Sequence, residues 1–161
     1  MKNELEKKFE LTSQIIGPGQ SGNYLGRTIL WEPDGISIEG ANKYIDTMIL
    51  EWGLGNTSGL STPGCNEDKR EPGGEEELRP RLTTAFRRSA AMANYMAQDR
   101  PDISFASKEV SRGMSCPTRL DTVKLKRLIR YLIGARRRAI KYTWQDPTEP
   151  VSYTHLTLPT T

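Results

Sequence analysis

Apolar residues recur at the spacings of a hairpin and of a helix in the first third of the chain. Residues 24–31 and 36–38 are strand-like runs on either side of Glu32-Pro33-Asp34-Gly35. In this turn the proline presets φ and the glycine tolerates the positive φ that the turn requires, which predicts a β-hairpin. In residues 41–52 the apolar positions fall on one helical face, and Gly53 is a natural end for that helix. These positions are Tyr44, Ile45, Met48, Ile49 and Trp52.

Two further helical patterns follow a long polar stretch. A helix resumes near residue 83 with a face of small, packable residues. Pro101 suits the first position of the next helix because it has no N–H to leave unpaired. Asp102 places negative charge at the start of this helix, and Gly113 ends it. We interpret Arg100 and Asp102 as a structural pair at the helix start.

The pattern closes with one more helix and a strand. Residues 120–133 carry an apolar stripe at helical spacing that Gly134 stops, and the alternation over residues 139–144 predicts a strand. The fold class expected from these elements is α+β. It comprises a β-hairpin plus helix, a flexible acidic linker, and a mainly helical subdomain that ends in a short strand.

The linker sets the domain organisation. Residues 55–80 have no hydrophobic periodicity and are rich in Gly, Pro, Ser and Glu, which predicts a disordered, exposed connector. Within it, residues 67–77 hold six acids against two bases. The connector separates residues 1–54 from residues 81–150. Apolar residues among charges in residues 2–11 predict a short amphipathic helix.

The last eleven residues, 151–161, resemble the translation of a transposase-derived sequencing adapter. We interpret them as an artefact and exclude them from the fold; the alternative is an ordinary Thr-rich tail. His155 is the only histidine, so residues 1–150 contain none. Ser/His/Asp catalysis, Cys/His catalysis and His-ligated metals therefore lack their central residue in the rest of the chain.

Charge is distributed unevenly. The net charge is only +3, but residues 119–141 contain nine Lys or Arg against one Asp, a local charge of +8. This favours a polyanionic partner. Cys65 and Cys116 are far apart and lack nearby histidines, so neither a zinc ribbon nor a disulfide framework is expected. There is no apolar run of about 18 residues, so we expect no membrane span.

Five short motifs occur in a fixed order. They are Tyr24-Leu25-Gly26, Tyr44-Ile45, Thr62-Pro63, Arg100-Pro101-Asp102-Ile103 and Arg130-Tyr131-Leu132, with Gly134 close behind. In this order and spacing they resemble copia-type retrotransposon Pol polyproteins. The matching segment lies after the catalytic Asp-Asp turn of the reverse transcriptase (RNA-directed DNA polymerase) and before RNase H. The resemblance covers residues 9–144, nearly all of the chain that precedes the adapter-like tail.

The resemblance implies a role for the hairpin. Tyr24, Leu25, Gly26 and Arg27 are similar to the primer grip of reverse transcriptases, the element that holds the primer backbone next to the polymerase site. Gly26 would let the nucleic-acid backbone approach closely, and Arg27 would donate a hydrogen bond to a phosphate. The alternative is an ordinary hairpin with Arg27 in solvent. The implied partners are an RNA/DNA template–primer duplex and the remainder of the Pol polyprotein. The implied location is intracellular, in cytoplasmic virus-like particles or in the nucleus.

The catalytic carboxylates of this family are not in the chain. Polymerisation needs Mg²⁺ held by closely spaced carboxylates on a strand turn, and no aromatic-X-Asp-Asp sequence occurs here. We therefore predict no catalytic residues, no metal ligands and no cofactor in this fragment. Mg²⁺ is expected for the parent polymerase, whose carboxylates would lie upstream of Met1.

Basic residues of the second half are the predicted contacts to the nucleic-acid backbone. Lys124, Arg127 and Arg130 would follow the phosphates along one helix, and Arg136-Arg137-Arg138 would meet the next turn of the backbone. The alternative is a solvated helix whose basic end complements its dipole. The resulting hypothesis is a reverse transcriptase fragment that contributes template–primer binding and is not catalytically competent alone. The other hypothesis is a stand-alone, non-enzymatic, basic nucleic-acid-binding helical module.

Overall fold

The computed structural model describes residues 16–40, 42–64 and 74–145. In this part of the chain, four strands form one antiparallel sheet and four helices pack together, so the predicted α+β fold is confirmed. The strands are β1 (Ser21–Tyr24), β2 (Arg27–Glu32), β3 (Gly35–Glu39) and β4 (Ala139–Thr143). The helices are α1 (Lys43–Glu51), α2 (Pro80–Met96), α3 (Pro101–Arg112) and α4 (Arg119–Gly134). The strand order is β1-β2-β3-β4.

The continuous strand predicted over residues 24–31 is wrong, because the chain reverses at Leu25 and Gly26. β1 pairs with β2, with Tyr24 opposite Arg27. The two central residues have φ values of 49° and 79°, the positive φ that two-residue hairpin turns require. A glycine adopts this conformation freely, but for leucine it costs about 1–2 kcal/mol. The sequence carries no Asn-Gly or Asp-Gly at this position, so the turn was hidden inside an apparently continuous strand.

The second hairpin is confirmed, but the role predicted for its glycine is wrong. β2 and β3 pair with Glu32 opposite Gly35. The φ of Gly35 is not positive. A Cβ at this position would instead lie less than 3.0 Å from the carbonyl oxygen of Tyr142 on β4. β4 itself pairs antiparallel with β3, with Ile140 opposite Ile38, so the predicted C-terminal strand joins the hairpin in one sheet.

The hydrophobic core of the described residues lies among the helices. On α1 the centre of the predicted stripe is fully buried, at Ile45 and Met48, and its other members pack partly buried against the core. Trp52 donates its indole N–H to the hydroxyl of Ser89 at 2.9 Å, which ties the end of α1 to α2. The large buried side chains of the other helices are Phe86, Ile103, Val110, Leu125, Leu128, Ile129 and Leu132.

Two helices begin at a proline and one begins at a capping box. α3 begins at Pro101 as predicted, whereas α2 begins at Pro80, about one turn before the predicted start. α4 begins after Thr118, whose side chain accepts from the backbone N–H of Asp121. The Asp121 carboxylate accepts in turn from the Thr118 backbone N–H at 3.0 Å. This reciprocal capping box satisfies two N–H groups of the first turn.

The described ends of the predicted linker are attached to the helical part. The backbone N–H of Leu60 donates to the carbonyl of Arg130 at 3.1 Å, and that of Leu78 donates to the carbonyl of Pro117 at 2.9 Å. Residues 55–64 and 74–79 therefore differ from the predicted free connector, because their backbone groups find partners on and before α4. Residues 65–73 lie outside the described part of the chain.

Several predictions concern residues that the structure does not describe. The amphipathic helix over residues 2–11, the adapter-like tail with His155, and Cys65 all lie outside the described ranges. Cys116 is exposed and is a free thiol. Among the described helices, none combines the length and the apolar character needed to cross a membrane.

Candidate nucleic-acid interface

A cleft of about 310 Å³ opens between the first hairpin, the start of α1 and the chain that leads into β4. It is lined by Gly26, Thr28, Glu39, Gly40, Asn42, Lys43 and Arg137. Gly26 belongs to the predicted primer-grip-like turn, and Arg137 belongs to the predicted backbone contacts. The fold brings these two residues to one cleft although 111 positions separate them in the sequence.

Glu39 is the one acid among the lining residues, and its carboxylate accepts hydrogen bonds from two neighbouring side chains. Arg137 donates Nε and Nη2 to the two carboxylate oxygens, each at 3.0 Å, and Asn42 donates Nδ2 at 2.8 Å. The hydrogen bonds from Arg137 lower the pKa of Glu39 below its ordinary value, with help from Asn42 and against the opposing effect of burial. Glu39 is therefore ionised at neutral pH, and two bases minus one acid give the cleft wall a charge of +1.

Both cations of the cleft retain the capacity to bind an anion. The side chain of Arg137 is 78% exposed, and its Nη1 makes no hydrogen bond to any described residue. Lys43 is exposed, its Nζ lies 5.2 Å from the ring centroid of Tyr44, and it forms no ion pair within the described ranges. Gly26 places no side chain on the wall, so a phosphodiester backbone could approach the main chain there.

The other primer-grip-like residues divide into two groups. Tyr24 and Leu25 are exposed at the tip of the turn, at 62% and 67%. Arg27 points away from solvent, because its Nε lies 2.7 Å from both carboxylate oxygens of Asp99. The hydroxyl of Tyr95 donates to the carbonyl of Leu25 at 3.1 Å. Arg27 thus fixes the turn to the end of α2, in place of the phosphate contact predicted for it.

The basic face predicted on α4 holds the segment that follows α1. Arg127 donates Nη2 to the hydroxyl of Thr62 at 2.8 Å. Arg130 donates to the carbonyl of Ser58 at 3.1 Å and to its hydroxyl at 3.3 Å. Lys124 is half-buried and makes no hydrogen bond or ion pair with the residues that the structure describes. Two of the three predicted phosphate contacts therefore have partners within the chain.

The arginine triplet lies in the bend between α4 and β4, and each member has a carboxylate neighbour. Arg136 pairs with Asp46, Arg137 with Glu39, and the Nε of Arg138 lies 3.9 Å from Asp102. The three side chains are 44%, 78% and 58% exposed. Exposed pairs of this kind contribute little to stability because solvent screens them, so a phosphate could replace a carboxylate at small cost.

The Arg-Pro-Asp start of α3 positions this bend. Arg100 is buried and donates Nε and Nη2 to the carboxylate of Asp102 at 2.9 and 2.8 Å. Its guanidinium also donates to the carbonyls of Ala135 and Arg136, where α4 ends. The hydroxyl of Tyr131 donates to Asp102 at 2.7 Å. The predicted pairing of Arg100 with Asp102 is therefore confirmed, whereas Arg100 at the N-cap makes no side-chain capping hydrogen bond.

Metal ligands are not grouped in the described part of the chain. Residues 16–40, 42–64 and 74–145 contain no cluster of three His, Cys, Asp or Glu side chains able to hold a metal ion. Asp99 and Asp102, which flank Pro101, are each paired with an arginine. The Mg²⁺ expected for the parent polymerase therefore has no fitting ligand set among these residues, and no chemical step is assigned to it.

Sequence reasoning missed Lys43, Asn42 and Glu39 as parts of the candidate site. The interpretation of residues 41–52 used the apolar stripe and gave no role to the polar residues before it. Glu39 lies at the end of β3 and meets Arg137 only because β4 pairs with β3. The only sequence signal for this part of the site was a basic residue, Lys43, shortly after the predicted hairpin.

Comparisons with known proteins assign no family to this chain. No family model, no curated protein and no solved structure matches it. The resemblance to copia-type Pol polyproteins therefore stays a prediction that depends on the five short motifs.

Proposed function

We propose that this chain is the C-terminal part of a copia-type reverse transcriptase region and that it binds the backbone of a template–primer duplex. On its own it does not transfer nucleotides. The observation that carries the proposal is the cleft in which the Gly26 turn faces Lys43 and Arg137. The motif order supports the family, and the cleft supports the kind of contact.

The cleft favours a phosphodiester over a neutral ligand. Its wall has a net positive charge, and Arg137 has an unused Nη1. Arg136 and Arg138 extend the positive surface on either side, each more than 40% exposed. Binding through phosphates is independent of sequence and weakens with salt, because each neutralised phosphate releases counterions. A polymerase that moves along any template needs contacts of this kind.

Paired substitutions in the cleft test the proposal. Arg137→Gln removes a phosphate donor, so we expect weaker binding to a short RNA–DNA hybrid and a salt slope reduced by about 1. Glu39→Gln releases Arg137 from its carboxylate, so we expect binding roughly threefold tighter. Both changes break the same ion pair, but their expected effects on binding are opposite. Fluorescence anisotropy between about 50 and 200 mM salt measures both the affinity and the slope.

Arg119→Gln is the matched control for this experiment. Arg119 also pairs with an exposed glutamate, Glu76 at 3.2 Å, but lies at the start of α4 and does not line the cleft. We expect its affinity and slope to differ less from wild type than those of Arg137→Gln. Absence of salt-dependent binding by the wild-type protein, or an equal loss in Arg119→Gln and Arg137→Gln, would contradict the proposed interface.

A second candidate function is a stand-alone basic module that binds RNA or DNA for its own purpose. The pairing of β4 with β3 favours it, because β4 completes a four-stranded sheet from within the chain. Genomic sequence upstream of Met1 separates the two candidates. An in-frame Tyr-X-Asp-Asp segment there supports the reverse transcriptase fragment, whereas a promoter directly before Met1 supports the separate module.

A further inference from the structure

The segment after α1 presents hydroxyl groups to two arginines of α4. Arg127 donates Nη2 to the Thr62 hydroxyl at 2.8 Å and Nε to the carbonyl of Gly64. Arg130 donates to the carbonyl and hydroxyl of Ser58. Neither guanidinium has a carboxylate partner among the described residues, unlike Arg136 and Arg137. This face of α4 is therefore a cationic surface on which the segment rests.

Thr62 combines three properties that a modification site needs. It is exposed, and its segment is in neither a helix nor a strand. Pro63 follows it, and Thr62-Pro63 is the only Ser-Pro or Thr-Pro pair in the chain. The proline restricts Thr62 to extended backbone conformations, which suit entry into the groove of an enzyme.

We propose that Thr62 is a phosphorylation site for a proline-directed serine/threonine kinase and that Arg127 binds the resulting phosphate. The γ-phosphoryl group of ATP is transferred to Thr62 Oγ1. A new P–O bond forms, the bond between Pγ and the ADP oxygen breaks, and the hydroxyl proton passes to the base of the kinase. The products are phosphothreonine and ADP.

A phosphate on Thr62 would lie next to the guanidinium of Arg127. A phosphothreonine carries a charge of about −1.5 to −2 at neutral pH and offers three acceptor oxygens. Arg127 already lies at hydrogen-bond distance from the atom that receives the phosphoryl group. Lys124 precedes Arg127 by three positions on α4, the spacing at which helical side chains are neighbours. Phosphorylation would therefore fasten residues 58–64 more tightly to α4.

The modification would also remove positive charge from the surface. Arg127 and Lys124 lie outside the cleft, but a phosphate on Thr62 would neutralise part of their charge and lower the net positive charge that attracts a polyanion. Weaker duplex binding by the phosphorylated chain is then expected, and this consequence alone rests on the proposed function. The phosphorylation site itself does not depend on nucleic-acid binding, so it is tested without nucleic acid.

The full chain is incubated with ATP and a proline-directed kinase, and the product is analysed by mass spectrometry and thermal unfolding. We expect one phosphate on Thr62, none in Thr62→Ala, and a melting temperature raised by about 4 °C. Arg127→Gln should accept the phosphate without the rise, whereas the control Arg119→Gln should keep it. Comparing each variant with and without phosphate removes any effect of the substitution itself. Absence of phosphate from Thr62, or an equal rise in Arg127→Gln, would overturn the proposal.

Discussion

Arg100→Met is expected to lower the free energy of unfolding by about 3 kcal/mol, because it breaks a buried ion pair and leaves its partner charged. Arg100 is 3% exposed and donates to both oxygens of Asp102. The same guanidinium donates to the carbonyls of Ala135 and Arg136 at the end of α4. Methionine fills a similar volume but donates to none of these groups. Urea unfolding followed by circular dichroism measures the loss.

Arg112→Met is the control for this change, because Arg112 lies at the opposite end of α3 and also forms an ion pair. Its partner is Glu109 at 2.6 Å, but the arginine side chain is 67% exposed. Exposed pairs contribute about 0.2–1 kcal/mol, so the control should lose far less stability. Equal losses in the two variants would show that Arg100 does not hold the bend at the end of α4.

The same network makes the free energy of unfolding fall as the pH is lowered into the acid range. Burial raises the pKa of Asp102, but the hydrogen bonds from Arg100 and Tyr131 outweigh burial, and the pKa lies below its ordinary value. A carboxylate whose pKa is lowered by folding stabilises the protein above its unfolded pKa of about 4. That contribution is lost as pH falls through the folded pKa. Asp102→Asn should therefore be less stable at neutral pH and should show a weaker decline in acid.

Gly35→Ala is expected to lower the free energy of unfolding by about 3 kcal/mol and to separate β4 from β3. The added Cβ would lie less than 3.0 Å from the carbonyl oxygen of Tyr142, a backbone atom that cannot move aside like a side chain. Amide hydrogen exchange in the β4 residues should increase, and unfolding experiments should show the loss of stability.

Gly64→Ala is the matched control for the effect of adding a methyl group to a glycine. Among the residues that the structure describes, no heavy atom outside its chain neighbours lies within 4 Å of a Cβ at Gly64, and its φ is not positive. We expect this variant to be as stable as wild type or slightly more stable, since alanine reduces the entropy of the unfolded chain. A Gly35→Ala protein with unchanged exchange in β4 would contradict the β3–β4 pairing.

Local patterns predicted the helices well and the turns less well. Pro101 and the apolar stripes of α1 and α4 depend on nearby residues, and the structure has these helices within two residues of their predicted ends. The reversal at Leu25 was not predictable, because leucine rarely adopts positive φ and no turn signal accompanies it. Gly35 looked like a turn residue, but its real constraint is the backbone of β4, which is distant in sequence.

The candidate site shows the same division between local and distant information. Charge alone pointed to Arg127 and Arg130, but their hydrogen bonds to Thr62 and Ser58 depend on how the segment after α1 crosses α4. Gly26 and Arg137 were chosen for separate reasons, and only the pairing of β4 with β3 brings them together. Lys43 joins the site locally, because it lies four residues after Glu39 at the start of α1. Long-range pairing of this kind leaves no periodic signal in a single sequence.

The most direct test of the proposed interface is to map a bound RNA–DNA hybrid by the amide chemical shifts of the labelled protein. The account predicts that the largest changes occur in the cleft, at Gly26, Thr28, Gly40, Lys43 and Arg137, and that they decrease with added salt. Shifts confined to other surfaces, or no shifts at low salt, would contradict the claim that this cleft holds the nucleic-acid backbone.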